Sequence, residues 1–129
     1  MINLEELIKI AKEARQNSYS PYSNYKVGCA LLAKGGKIYS GCNIENDGIM
    51  SICAERVAFV KAISEGEKEF EALLVVGGKE ELIYTSPCGY CRQFISEFCD
   101  KDFAIYMCYE DDKIEKKTIE ELLPDNFNL

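Results

Sequence analysis

The sequence predicts an α/β protein in three layers, with helices covering both faces of a mixed five-stranded sheet. Three observations carry that reading. Leu4, Leu7, Ile8, Ala11 and Ala14 recur at helical spacing at the start of the chain. Residues 72–76 and 103–108 are short continuous apolar runs, the pattern of strands buried on both faces. Residues 27–33 and 37–43 flank Lys34-Gly35-Gly36, which reads as the turn of a β-hairpin.

Taken in order, the first helix has Asn3 as N-cap and Glu6 three residues later, a capping-box pattern. It should fail near Asn17, ahead of the turn-rich Ser18-Tyr19-Ser20-Pro21-Tyr22-Ser23-Asn24. After the hairpin, residues 44–50 read as irregular. A second helix is expected from Ser51 or Ile52 to Glu65, stopped by Gly66. Its apolar face would hold Ile52, Val57, Ala58, Val60, Ala62 and Ile63. The strand at 72–76 connects through residues 79–86 to a third helix, from Cys88 or Gly89 to Cys99, carrying Phe94, Ile95 and Phe98. The strand at 103–108 turns at Glu110-Asp111-Asp112 and pairs with 113–118. Thr118 with Glu121 caps a last helical turn, which Pro124 ends.

A chain of 129 residues is expected to form one domain, 1–129, with a real core. Residues 1–6 have no basic leader, and no stretch approaches the roughly 20 apolar residues of a membrane span. Neither export nor membrane insertion is predicted. Seven cysteines, an odd number, fit reduced thiols in the cytoplasm better than a disulfide framework. The net charge of −7 disfavours nucleic acid, whose phosphates need clustered Lys and Arg, and suits a small neutral or cationic substrate. Eight tyrosines and six phenylalanines are compatible with core packing and with interfaces between subunits.

The chemistry concentrates in two short motifs, Cys53-Ala54-Glu55 and Pro87-Cys88-Gly89-Tyr90-Cys91, in a chain without histidine. Three cysteine thiolates can hold Zn2+ and leave its fourth position open. Cys53 and Cys88 fall at predicted helix starts, where free backbone N–H groups favour thiolate. Cys88 and Cys91 lie one helical turn apart and can grip the same ion. Glu55 is too close to Cys53 to join the ligands but can reach a water on the metal. Arg56, by bonding to the ligand sulfurs, can offset the net −1 charge of zinc with three thiolates. Cys29, Cys42, Cys99 and Cys108 read as core fillers. One competing arrangement is a structural zinc with Cys42 or Cys99 as fourth ligand. A Cys-x-x-Cys pair alone also fits redox proteins.

Together Cys53-Ala54-Glu55-Arg56 and Pro87-Cys88-Gly89-Tyr90-Cys91-Arg92-Gln93 resemble the zinc-dependent cytidine deaminases, in their small homotetrameric three-cysteine form. The similarity extends to Pro21-Tyr22-Ser23-Asn24-Tyr25-Lys26-Val27-Gly28, Gly41-Cys42-Asn43-Ile44-Glu45-Asn46 and Glu121-Leu122-Leu123-Pro124. It implies one zinc per subunit, held by Cys53, Cys88 and Cys91, with Glu55 as the single proton-transferring group. It further implies that Asn43 and Glu45 hydrogen-bond the ribose 3′-hydroxyl, that Tyr25 stands where an aromatic, usually Phe, lines the base pocket, and that Ala54 contacts substrate. Phe127 matches the C-terminal Phe that enters a neighbouring subunit's site, so a homotetramer with shared sites is expected. The implied reaction is hydrolysis of cytidine and deoxycytidine to the uridine products and ammonia. A relative acting on a cytosine nucleoside analogue such as blasticidin S is the alternative, and a non-catalytic zinc module a third. Between Asn46 and Cys53 this chain has six residues and no Tyr, where the family usually has seven including one.

Overall fold

The computed structural model describes residues 2–47 and 50–129. Its elements run α1 (Leu4–Arg15), β1 (Lys26–Ala33), β2 (Ile38–Cys42), α2 (Ala54–Ser64), β3 (Phe70–Gly78), α3 (Gly89–Phe98), β4 (Ala104–Tyr109), a 3₁₀ turn (Glu110–Asp112), β5 (Lys113–Thr118) and α4 (Ile119–Leu122). The five strands form one sheet in the order β2-β1-β3-β4-β5. Only β3 and β4 pair in parallel; the other neighbours are antiparallel. The predicted mixed sheet of five strands is therefore present.

Alternation along the strands divides the core between the two faces. Leu7 and Ala11 of α1 pack with Ala30, Leu74, Val76 and Tyr106 on one side. On the other, Leu31, Leu73, Val75, Ile105 and Met107 meet Ala58, Phe59 and Ala62 of α2 and Ile95 of α3. Phe59 is fully buried and lies edge-on to Phe70, Phe94 and Phe103, at centroid distances of 5.0, 6.3 and 6.2 Å. An aromatic hub of this kind costs about 3–5 kcal/mol to truncate to Ala. The central β3, buried along nearly all its length, is covered on both faces as its apolar run predicts.

Several boundaries move. At the first helix only half of the capping box forms: the Asn3 side chain accepts from the Glu6 N–H at 3.1 Å. The box at Thr118 and Glu121 is complete. More important for the site, α2 starts two or three residues later than periodicity suggests. Ile52 is held in an antiparallel bridge by two main-chain bonds to Ile44, each 2.9 Å, so it is extended rather than helical. Cys53 becomes the N-cap. The buried face also differs from the expected one: Ile52 and Val60 are exposed, whereas Glu55 and Phe59 turn inward. Gly41 permits the close seating of α2 on β2, since a Cβ there would stand 2.5 Å from the Ala54 carbonyl oxygen.

Candidate metal centre and active site

Both cysteine motifs lie at helix starts, as the spacing predicts. Cys53 (φ −74°, ψ 154°) and Cys88 (φ −68°, ψ 168°) are the N-caps of α2 and α3. Neither side chain caps its helix by hydrogen bonding, so the helix N–H groups do not engage the thiols directly. The sulfurs turn instead toward each other. Cys53 Sγ lies 3.7 Å from Cys88 Sγ, which lies 3.6 Å from Cys91 Sγ. All three fall within 4.8 Å of one another. Tetrahedral thiolates about 2.3 Å from zinc would be about 3.8 Å apart. The trio therefore fits one face of a zinc coordination tetrahedron. Neither Cys42 nor Cys99 belongs to this cluster among the described residues.

The electrostatics favour thiolate at the first ligand. A hydrogen bond from Cys91, reinforced by the Arg56 guanidinium, pushes Cys53 down to about 5 despite its partial burial. The same shared hydrogen bond, together with burial, pushes Cys91 up. Arg56 Nη2 donates to Cys53 Sγ at 3.6 Å, the contact that charge arithmetic anticipates. Burial opposes the Arg56 charge, but bonds to the sulfurs of Cys53 and Cys91 outweigh it and hold the proton more tightly. The guanidinium also lies over the Tyr90 ring, 4.1 Å from its centroid, while its buried Nε has no partner among the described residues. Tyr90 was not singled out by the sequence. Nothing in its local pattern distinguishes an exposed helix tyrosine from one that stacks on an arginine of another helix.

Glu55, on the first turn of α2, is only 4 % exposed. Burial pushes its carboxyl up to about 7, with the nearby Cys53 adding to the effect. No described side chain hydrogen-bonds to it. Ala54 beside it is fully buried, and the Cys29 thiol donates to its carbonyl at 3.2 Å. The loop delivering Cys88 is fixed by Arg92, whose three nitrogens donate to the Pro87 carbonyl (2.7 Å), the Leu122 carbonyl (2.8 Å) and Ser86 Oγ (3.0 Å).

The other predicted site residues are engaged within the chain. Asn43 Oδ1 accepts from Ser18 Oγ (2.5 Å) and the Val27 N–H (2.9 Å), and its Nδ2 donates to the Tyr25 carbonyl (2.8 Å). Glu45 accepts from the Tyr22 and Ser23 N–H groups, at 2.8 and 3.1 Å, and from the Ser23 hydroxyl. The Ser23 hydroxyl, with these N–H donors, lowers the Glu45 carboxyl below its ordinary value. The hydroxyl of Tyr25 meets Thr85 Oγ1 at 2.5 Å. Phe127 is 64 % exposed, its backbone clasped by Gln93: the Phe127 N–H donates to Gln93 Oε1 at 3.0 Å, and Gln93 Nε2 donates to the Phe127 carbonyl at 2.9 Å. The shortened 47–52 loop includes Gly48 and Ile49, which lie outside the described residues.

A three-cysteine cluster spanning two helix starts, backed by a buried glutamate, defines a zinc-site α/β fold of the deaminase type. The sequence agrees over most of its length: residues 1–107 match the model of the cytidine and deoxycytidylate deaminase zinc-binding region. The chain belongs to that family. It is 48 % identical over 128 residues to a cytidine deaminase of Sporosarcina psychrophila, covering 98 % of this chain and 93 % of that one. A blasticidin-S deaminase of Bacillus cereus is 33 % identical over 126 residues, covering 92 % of this chain and 88 % of that one. The crystal structure of cytidine deaminase from Burkholderia pseudomallei superposes with a TM-score of 0.89 at 37 % identity, covering 98 % of this chain and all of that one. No helix among the described residues is long and apolar enough to cross a membrane.

Proposed function

We propose that this protein hydrolytically deaminates free cytidine and deoxycytidine, giving uridine or deoxyuridine and ammonia, in pyrimidine salvage in the cytoplasm. The observation that carries the reading is the juxtaposition of three sulfurs, spaced for one zinc ion, with the buried Glu55 two residues beyond the first of them. Cys53, Cys88 and Cys91 hold the metal, one per subunit. A zinc ion in such a site supplies Lewis acidity that makes water a competent nucleophile at neutral pH. Arg56 offsets the negative charge of the three thiolates by its bond to Cys53.

Glu55 does the proton work. It takes a proton from the attacking water and delivers it to N3 of the cytosine ring, which makes C4 electrophilic. After the oxygen adds to C4, Glu55 carries the remaining proton to the exocyclic amine, and the C4–N bond breaks to release ammonia. One carboxylate serves as base and then as acid. Its burial keeps bulk water from competing as an acceptor for these protons.

Tyr25 and Ala54 line the base pocket. Asn43 has one amide N–H beyond its present bonds, and Glu45 has accepting capacity beyond its three, which suits both to the ribose 3′-hydroxyl. The exposed Phe127 ring, presented by Gln93, suits insertion into a neighbouring subunit's site in a homotetramer.

Ammonia release on zinc-quantified protein tests this directly, with cytidine, deoxycytidine and blasticidin S measured side by side. Turnover of the two nucleosides at comparable rates, with blasticidin S slower, is expected. A protein with full zinc that leaves cytidine untouched would overturn the proposal. Preference for blasticidin S, the second reading motivated by the 33 % identical relative, would redirect the substrate while keeping the chemistry.

A further inference from the structure

Tyr25 brings a phenol to a position where an apolar ring would serve, and the fold gives that phenol a dedicated partner. Its hydroxyl lies 2.5 Å from Thr85 Oγ1. The direction of this bond follows from the next one. The Thr85 hydroxyl donates its only proton to the Ile83 carbonyl, at 3.2 Å. The assignment that satisfies both the Ile83 carbonyl and the phenol has Tyr25 donating to Thr85. Tyr25 is half-buried, and its only O–H is consumed in that bond.

Thr85 is itself held in place. The Ile83 N–H donates to the Gly77 carbonyl at 2.9 Å, closing the bend after β3. Gly77 leaves the room that Thr85 occupies: a Cβ there would come within 2.7 Å of Thr85 Oγ1 and 3.0 Å of its Cγ2. Three residues beyond Thr85 stands Cys88. The Tyr25–Thr85 bond thus ties the end of the 18–25 segment to the loop that delivers two of the three sulfurs.

We propose that Thr85 is a positioning residue for substrate binding, which fixes the Tyr25 ring as a pocket wall and keeps its hydroxyl from competing for the polar edge of the base. This rests on the reading of Tyr25 as part of the base pocket. Without its acceptor the phenol O–H must find water or substrate atoms, and the ring is freed to move. Removing the hydroxyl from both residues removes the conflict. The two positions should therefore be coupled, and the coupling should appear in KM rather than in kcat.

Steady-state kinetics on cytidine test this with zinc content and thermal melting followed in parallel. Thr85→Val is expected to raise KM about tenfold, with kcat changed less than about twofold, consistent with loss of one hydrogen-bonding partner. In the Tyr25→Phe background the same change should move KM by less than about twofold. Thr85→Ser, which keeps the hydroxyl, should bind cytidine like the parent. Equal KM effects of Thr85→Val in both backgrounds would overturn the inference, as would no effect in either. If Thr85→Val fails to fold, Thr85→Ser decides: a KM raised tenfold with the hydroxyl retained would also overturn it. An unmodified enzyme that turns over cytidine while this coupling is absent would sink the inference alone; one with no cytidine turnover would remove the reading beneath it.

Discussion

Two glutamates of this chain, Glu55 and Glu45, are both expected to serve the site, yet the fold treats them in opposite ways. Glu55 is buried at the start of α2, receives no hydrogen bond from a described side chain, and has its carboxyl pushed up by desolvation. Glu45 is half-buried, accepts three bonds from residues 22 and 23, and has its carboxyl pushed down. A buried carboxyl with no side-chain partner among the described residues is suited to trading protons, whereas one that already accepts three bonds also holds a turn. Within the metal end Glu55 is thus the exception, since the 18–25 and 43–45 segments are tied by side-chain bonds. Arg92 belongs with the second kind, since every nitrogen of its guanidinium is engaged.

Breaking the contrast at Glu55 should have the largest consequence. Glu55→Gln keeps the shape and removes the proposed proton carrier, so turnover should fall at least about 100-fold while zinc content and melting temperature hold. Turnover within a few-fold of the parent would refute the assignment of proton transfer to this residue. A smaller effect is expected at Arg92. Arg92→Ala unties the Pro87 carbonyl and leaves the reacting groups untouched, so zinc affinity in a chelator titration should weaken about tenfold, the value of a charge-assisted bond, while kcat per bound zinc changes little. A kcat per zinc that collapses would move Arg92 from scaffolding to chemistry.

The smallest effect belongs to Glu45, and its sign follows from the direction of its shift. A carboxyl held below its ordinary value of 4.5 stabilises the fold above that pH, and the contribution is lost as pH falls through the folded-state value. Glu45→Gln should therefore melt slightly below the parent at pH 7, with the gap narrowing as pH falls below 4.5. A gap that persists unchanged at pH 3 would show that the loss is one of shape and not of charge.

Much of this was legible in the sequence because it depends on local pattern. The apolar runs of β3 and β4, the hairpin turn at residues 34–36 and the capping box at Thr118 all act over a few residues. So do Cys88 and Cys91, which any helix start brings to one side. What escaped depends on partners distant in the chain. The Ile44–Ile52 bridge delays α2, and the packing of α2 against the sheet buries Phe59 in place of Val60. A polar residue such as Glu55 reads as outward-facing by periodicity alone, and only its nearness to a metal motif argued otherwise. Thr85 beneath Tyr25 and Tyr90 beneath Arg56 carry no sequence signal, because each contact is made between separate elements.

Coordination of the metal decides between an open catalytic site and a closed structural one. X-ray absorption at the zinc edge, on protein carrying one zinc per chain, is expected to fit three sulfurs and one lighter oxygen or nitrogen donor. A fit to four sulfurs would place a further cysteine on the ion, close the position the reaction needs, and contradict the central claim.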